Sequence, residues 1–326
     1  DPCQPAEKQA GNFVTVVPRD AKMLPPAIDL DMLADDCPIK VSDAAVQSEL
    51  TTFINQIETH TGKPSILKVS RAFQQRYGVA AKQITLLPLA VSDDKSTPEQ
   101  DESQWRHNAA DQALADSLSS YTAVWFLGGD QLNITATMQP ETATTPLLNA
   151  VNALYQRGGV IGGTSAGAAI MSQVMIAAGD SWGALTQGLT DSYNGMQDQE
   201  NGPLLLSQGL GFFRHAIIDQ HFDRKARFGR LVVAAELNKQ HYPRGFGIDE
   251  DAALVYEAKT GLVQAIGNGA VTLIDVSEAK RIENPNGYHI ENVRISILQG
   301  EDQYDVRQQR FLPNPLKLAT VGSEYL

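Results

Sequence analysis

The chain has 326 residues, 42% of them hydrophobic and 20% charged. That is enough to bury the core of one large α/β domain or two modest ones, and it excludes disorder or a fibrous repeat as a description of the whole. Its 38 acidic and 26 basic residues leave a formal charge of −12, a field that repels phosphate backbones and anionic lipid, so nucleic acid is not expected as a partner.

The chain opens on Asp1, Pro2 and Cys3 rather than on Met, which reads as a mature terminus left by removal of a leader, so a secreted or periplasmic protein is expected. Cys3 and Cys37 are the two cysteines. A disulfide between them would staple a tail that otherwise frays, contributing on the order of 3 kcal/mol; two free thiols are the alternative. Pro2, Pro5, Pro18, Pro25, Pro26 and Pro38 interrupt helices, so residues 1–42 read as an N-terminal extension on a domain.

Ser42 is placed to cap a helix carrying Val46, Leu50, Phe53, Ile54 and Ile57 at helical spacing. A second helix is predicted over 67–77, with Gly78 to end it. Short apolar runs at 84–87, 123–127, 160–161 and 216–218 then alternate with helical segments. This predicts an α/β fold, a mostly parallel sheet flanked by helices on both faces. Residues 91–107 are acidic and polar, a surface loop or lid. Beyond Gly247, strands are expected at 253–256, 262–266, 271–274 and 293–298, with turns at Asn268-Gly269 and Asn286-Gly287, so the end of the chain is antiparallel. The expected organisation is a catalytic domain over 43–276 and a tail over 277–326. No apolar run reaches the roughly 20 residues of a spanning helix, and no membrane association is expected.

Four segments could carry chemistry. Gly163-Thr164-Ser165-Ala166-Gly167 has the G-x-S-x-G spacing, in which small neighbours let a strand turn sharply into a helix and lift a serine hydroxyl out of the sheet edge. The amide of Ala166 then faces a developing oxyanion. A phosphate loop is the weaker reading, since Thr164 stands where lysine is needed; tight packing of helix on strand is the bland one. Gly128-Gly129-Asp130-Gln131 follows a predicted strand, and Gly129 is a natural second oxyanion donor unless the pair is only a turn. Asn133-Ile134-Thr135 matches a glycosylation sequon, but it lies too close to this crevice for sugar.

His221 is a candidate general base because imidazole titrates near neutrality. Arg224, Arg227 and Arg230 recur every three residues and, on a helix, share a flank with Lys225. Such a cluster is either a solvated face or a grip on carboxylates. Asp249, Glu250 and Asp251 follow, and either Asp249 or Glu250 could orient the imidazole. The spaced oxygen ligands of a calcium loop and the His and Cys spacing of a zinc site are both missing, so no metal and no cofactor are expected.

Taken in order, GGDQLNIT, GGTSAGAAIMS, IDQHFDRKARFGRL and GIDEDAALV resemble the cyanophycinases of the S51 serine peptidase family, across roughly 84–274. The resemblance implies hydrolysis of cyanophycin, a poly-aspartate bearing arginine on each side-chain carboxylate, to β-aspartyl-arginine dipeptides by a serine nucleophile without metal. It makes Ser165 the nucleophile, His221 the base and Glu250 the orienting acid, with Gly129 and Ala166 as oxyanion donors. It also places Gln131, Asp219, Gln220, Arg227 and Arg230 along the substrate cleft. Lys225 stands where the family usually has arginine, with Arg224 beside it to compensate. The acid follows the histidine, unlike the order of an ordinary α/β-hydrolase. The family's Gly-Gly turn before residue 60 is absent; either the first strand has diverged, for example to 12–17, or the sheet is built differently there. A homodimer is a further implication. An aspartyl dipeptidase of the same family and a non-catalytic exported protein that binds arginine-containing peptides are the alternatives.

Overall fold

The computed structural model describes residues 1–19, 26–63, 65–77, 96–98, 101–141 and 143–312. It divides into two compact units, Asp1–Leu87 and Pro88–Leu326.

In the first unit, α1 (Ala6–Val16) lies between Pro5 and Pro18. The prolines therefore bound a helix, and of the 12–17 candidate for a first strand residues 12–16 are helical and Val17 is the cap that ends the helix. The alanine, glutamate, lysine and glutamine at its start are good helix formers. The first strand is instead β1 (Ala27–Leu30). Helix α2 (Asp43–Thr61) starts where Ser42 Oγ accepts from the Ala45 amide at 3.2 Å and stops at Gly62, whose φ of +67° closes the last turn. The helix predicted over 67–77 is corrected: β2 (Ile66–Val69) pairs in parallel with β1, and only α3 (Arg71–Tyr77) is helical. Ser70 makes the break, its amide donating to Leu30 O at 2.9 Å and its hydroxyl accepting from Phe73 N at 3.1 Å. Val46, Leu50, Ile54, Phe73 and Tyr77 close over Ile28, Leu30 and Leu67 as this unit's core. Cys3 and Cys37 are disulfide-bonded across 34 positions, so the two-thiol alternative falls. Gly78 and the strand expected at 84–87 lie outside the described residues.

In the second unit, α4 (Gln112–Ser117) precedes β3 (Ala123–Phe126), α5 (Gln131–Met138), α6 (Pro146–Gln156) and β4 (Val160–Gly163). Next come α7 (Ala166–Ala169), β5 (Val174–Ala178), α8 (Ser181–Gln187) and β6 (Leu205–Gln208). β7 (Ile217–Gln220), α9 (Phe228–Leu237) and β8 (Arg244–Ile248) complete the part that builds the site. β9 (Ala252–Glu257), β10 (Leu262–Gly267), β11 (Val271–Asp275), β12 (Lys280–Asn284) and β13 (Gly287–Glu291) follow. The last are β14 (Arg294–Leu298), β15 (Gln303–Asp305) and β16 (Arg310–Leu312).

The fold is mixed α/β, but the strands do not assemble into one mostly parallel sheet. Among the described residues they form six small sheets. Pairing is parallel for β1 with β2, β3 with β4, and β7 with β8. In the second unit, helices α5 and α6 connect the one parallel pair and α9 the other, as parallel neighbours require. After Ile248 short turns join the strands, and β9, β10, β11, β14, β15 and β16 pair antiparallel as expected. Helix α9 packs Leu231 and Val233 against Ile217, Ile274 and Val276, while Phe213, Ile218, Phe246 and Leu273 fill a second core. Both parallel pairs thus end on polar loops backed by apolar packing. No helix among the described residues is long and apolar enough to cross a membrane.

Candidate active site

Ser165 sits between β4 and α7 with φ +55° and ψ −118°. A residue with a side chain enters that region only under constraint, at a cost on the order of 1–3 kcal/mol. The constraint is close packing. A Cβ added to Gly167 would stand 2.1 Å from Phe126 O, so α7 can lie on β3 only with glycine there. Thr164 N donates to Phe126 O at 3.1 Å, holding the turn in register with β3. Ala166 opens α7, where amides have no acceptor within the helix. The Gly128-Gly129 turn passes beside the serine: a Cβ on Gly128 would come within 3.1 Å of Ser165 Cβ and 3.6 Å of its Oγ. Gly129 has φ +136°, a conformation that favours glycine.

His221 follows β7 at φ +49°, and Glu250 lies two residues past β8. Because β7 and β8 pair in parallel with Gln220 opposite Ile248, both side chains leave the same sheet end. His221 Nε2 is 2.9 Å from Ser165 Oγ, and His221 Nδ1 is 2.8 Å from Glu250 Oε1. A carboxylate only accepts, so Nδ1 carries the proton and donates, leaving Nε2 to accept from the serine hydroxyl. The Glu250 amide donates to Asp223 Oδ1 at 3.1 Å, tying the two loops together and holding the Asp223 carboxyl below its ordinary pKa. Asp249, the other candidate acid, accepts instead from Ala270 N at 3.1 Å. Burial raises its pKa. The spacing left two acids open; the turn geometry brings Glu250 to the imidazole.

The basic run is not one helical flank. Residues 221–227 form turns, Ala226 has φ +47°, and α9 begins only at Phe228. Arg230, 1% exposed, grips Asp219 with two bonds, Nε to Oδ2 at 2.8 Å and Nη2 to Oδ1 at 2.6 Å, and donates to Gly179 O and Gln199 O. Arg227, 4% exposed, donates to Gln220 O, Gln220 Oε1 and Glu200 Oε1. Burial and the neighbouring Arg230 pull the pKa of Arg227 down. Lys225 donates to the same Glu200 oxygen at 2.5 Å. Gln131 is buried and donates to Ile176 O and Ala177 O. Of the expected cleft residues, Asp219, Gln220, Arg227, Arg230 and Gln131 thus have internal partners, because buried charges and amides demand them. Arg224 is exposed, 4.0 Å from Glu250 Oε2.

Sequence reading missed Glu200 and Tyr193, both in the stretch between α8 and β6. Burial raises the Glu200 carboxyl, but Lys225, Arg227 and Arg230 outweigh it and leave its pKa below the ordinary value. Tyr193 donates to Asp130 Oδ2 at 2.6 Å, and burial together with that bond pushes its pKa up to about 12. That stretch is polar and without hydrophobic period, so the one available signal was that buried cations need carboxylates somewhere. Among the described residues no group of three or more His, Cys, Asp and Glu gathers as metal ligands would.

A serine on a strained strand-to-helix turn, bonded to an imidazole that a carboxylate backs, is the arrangement of a serine hydrolase on an α/β frame. The sequence model of peptidase family S51 matches residues 58–263, more than half of the chain. The chain belongs to that family. A cyanophycinase of Trichormus variabilis is 32% identical over 203 residues, 60% of this chain and 61% of that one. A cyanophycinase of Synechococcus elongatus is 31% identical over 208 residues, 62% and 58% of the two chains. The match thus spans about three fifths of the length of these curated relatives. Among solved structures, a peptidase from an acI-B1 Actinobacterium matches over 89% of this chain and 91% of its own, at 17% identity and a TM-score of 0.38.

Proposed function

We propose that the protein is a serine peptidase that hydrolyses cyanophycin to β-aspartyl-arginine dipeptides through an acyl-enzyme. The observation that carries this reading is the hydrogen-bonded line from Ser165 through His221 to Glu250. In this mechanism Ser165 Oγ attacks a main-chain aspartyl carbonyl while His221 Nε2 takes its proton. The amides of Gly129 and Ala166 receive the tetrahedral oxyanion, and the imidazolium returns the proton to the leaving amine. Water then repeats the sequence on the ester and frees Ser165. Glu250 holds the Nδ1 proton in place and stabilises the imidazolium.

The choice of polymer is supported by the relatives' names. Each cyanophycin side chain carries one cation and one carboxylate, and Arg224, exposed beside the triad and only 3.5 Å from Asp223 Oδ2, is the cation that could exchange that surface partner for the substrate carboxylate. In this reading Asp219, Gln220, Arg227, Arg230 and Gln131 act by fixing the walls of the site. A polymer granule too large to import is the ground for secretion, and a homodimer rests on the family resemblance alone. Mass spectrometry of products from purified cyanophycin tests the reading: wild type releases an arginine-bearing dipeptide and Ser165→Ala releases none. Release by the variant would remove Ser165 from the mechanism; turnover of Asp-X dipeptides with the polymer left intact would turn the reading to an aspartyl dipeptidase.

A further inference from the structure

The stretch between α8 and β6 is anchored on both halves of the site. At one end Tyr193 reaches the turn that follows β3; at the other, Glu200 holds Lys225 and Arg227 behind His221. The Tyr193 anchor bears on the chemistry. Gly128 and Gly129 have no side chains, and nothing lies within 4 Å of where a Gly129 Cβ would stand. The turn is flanked on each side by a residue that hydrogen bonds fix. On one side is Phe126, whose carbonyl accepts from Thr164. On the other is Asp130, 6% exposed, with both carboxylate oxygens engaged: Oδ1 accepts from Leu132 N at 2.8 Å and Oδ2 from the Tyr193 hydroxyl at 2.6 Å. The Tyr193 oxygen in turn accepts from Gln199 Nε2 at 3.3 Å, and Gln199 O accepts from Arg230 at 3.1 Å.

We propose that Tyr193 is a positioning residue for the oxyanion site, fixing the Asp130 carboxylate and through it the direction of the Gly129 amide. The proposal rests on the serine-hydrolase reading above, in which Gly129 donates to the oxyanion. An oxyanion donor acts in the transition state and little in the ground state, so loosening it lowers kcat and spares KM. The hydroxyl touches neither Ser165 nor His221; it acts through Asp130.

The test uses p-nitrophenyl acetate, whose hydrolysis by an activated serine needs no recognition of the polymer. Tyr193→Phe is expected to cut kcat about tenfold with KM within about twofold, a fraction of the roughly 10²–10³-fold lost with a whole oxyanion donor. Binding of soluble arginyl-aspartate peptide to Tyr193→Phe in the Ser165→Ala background, read by calorimetry, is expected to be unchanged. An unchanged kcat, or a rise in KM alone, overturns the proposal, and weakened peptide binding makes Tyr193 a substrate contact instead. If Tyr193→Phe fails to fold, Asp130→Asn, which keeps an oxygen to cap α5 but loses the charge that holds the phenol, carries the same expected loss of kcat. Failure of the function reading looks different: wild type then hydrolyses no ester, or Ser165→Ala hydrolyses it equally, and both readings fall together.

Discussion

Ser165 and His221 both carry positive φ, +55° and +49°, and neither is glycine. Strain at two residues that face each other across 2.9 Å means that the surrounding packing, not local preference, aims both side chains. Glu250 is the least enclosed of the three, 44% exposed at its side chain. Removing the acid of an enclosed triad costs roughly 10⁴ in kcat, and water can stand in for part of an exposed one, so Glu250→Gln is expected to lower kcat about 10²-fold. Asp249→Asn, whose carboxylate serves the Ala270 amide, is expected to stay within about twofold of wild type. Steady-state kinetics on one substrate compares them. The spacing of residues 249–251 left Asp249 and Glu250 equivalent, because a one-residue difference in a turn reverses where a side chain points. Arg227 and Arg230 looked available in sequence for a related reason: a guanidinium's partner is invisible until the fold brings a carboxylate to it.

At the level of elements, the turn from β4 into α7 depends on a helix lying directly on a neighbouring strand's carbonyls. Gly167→Ala places a carbon 2.1 Å from Phe126 O, a backbone atom that cannot swing aside. The variant is expected to lose about 1–3 kcal/mol of stability, the usual range for overpacking, and most of its ester hydrolysis, because relief of the clash moves Ser165, two residues earlier. Urea denaturation and kcat measured together check both. This element was legible in sequence, since glycine spacing reports backbone approach directly. So was α2, from the cap at Ser42 and the helical spacing of Val46, Leu50, Ile54 and Ile57. The helix predicted over 67–77 is divided at Ser70 by a bond to β1, 40 residues earlier, which local composition does not report. The basic run 224–230 likewise does not share one helix, because the turn at Ala226 interrupts it.

Across the whole molecule, acid titrates the contacts that join distant segments. Glu200 and Asp223 both have folded pKa values below their ordinary 4.5 and 3.8. A lowered carboxyl contributes stability above its unfolded pKa and loses it as pH falls through the folded one. Asp249, raised by burial, works in the opposite direction. The urea midpoint is therefore expected to fall below pH 4.5; Glu200→Gln should lower the midpoint at pH 7, by leaving the buried Arg227 short of a partner, and flatten the acid decline. A steeper acid decline in the variant would contradict the role given to Glu200.

The order of the chain alone determined the turn that lifts Ser165, the candidacy of His221 and the antiparallel character of the last strands. Each follows from backbone sterics within a few residues, which local composition reports. The tertiary structure decided which acid meets the imidazole, which arginines are neutralised internally, and that Tyr193 reaches Asp130. These contacts join positions 29, 11 and 63 residues apart, and such pairs meet only where strand register and loop path bring them together.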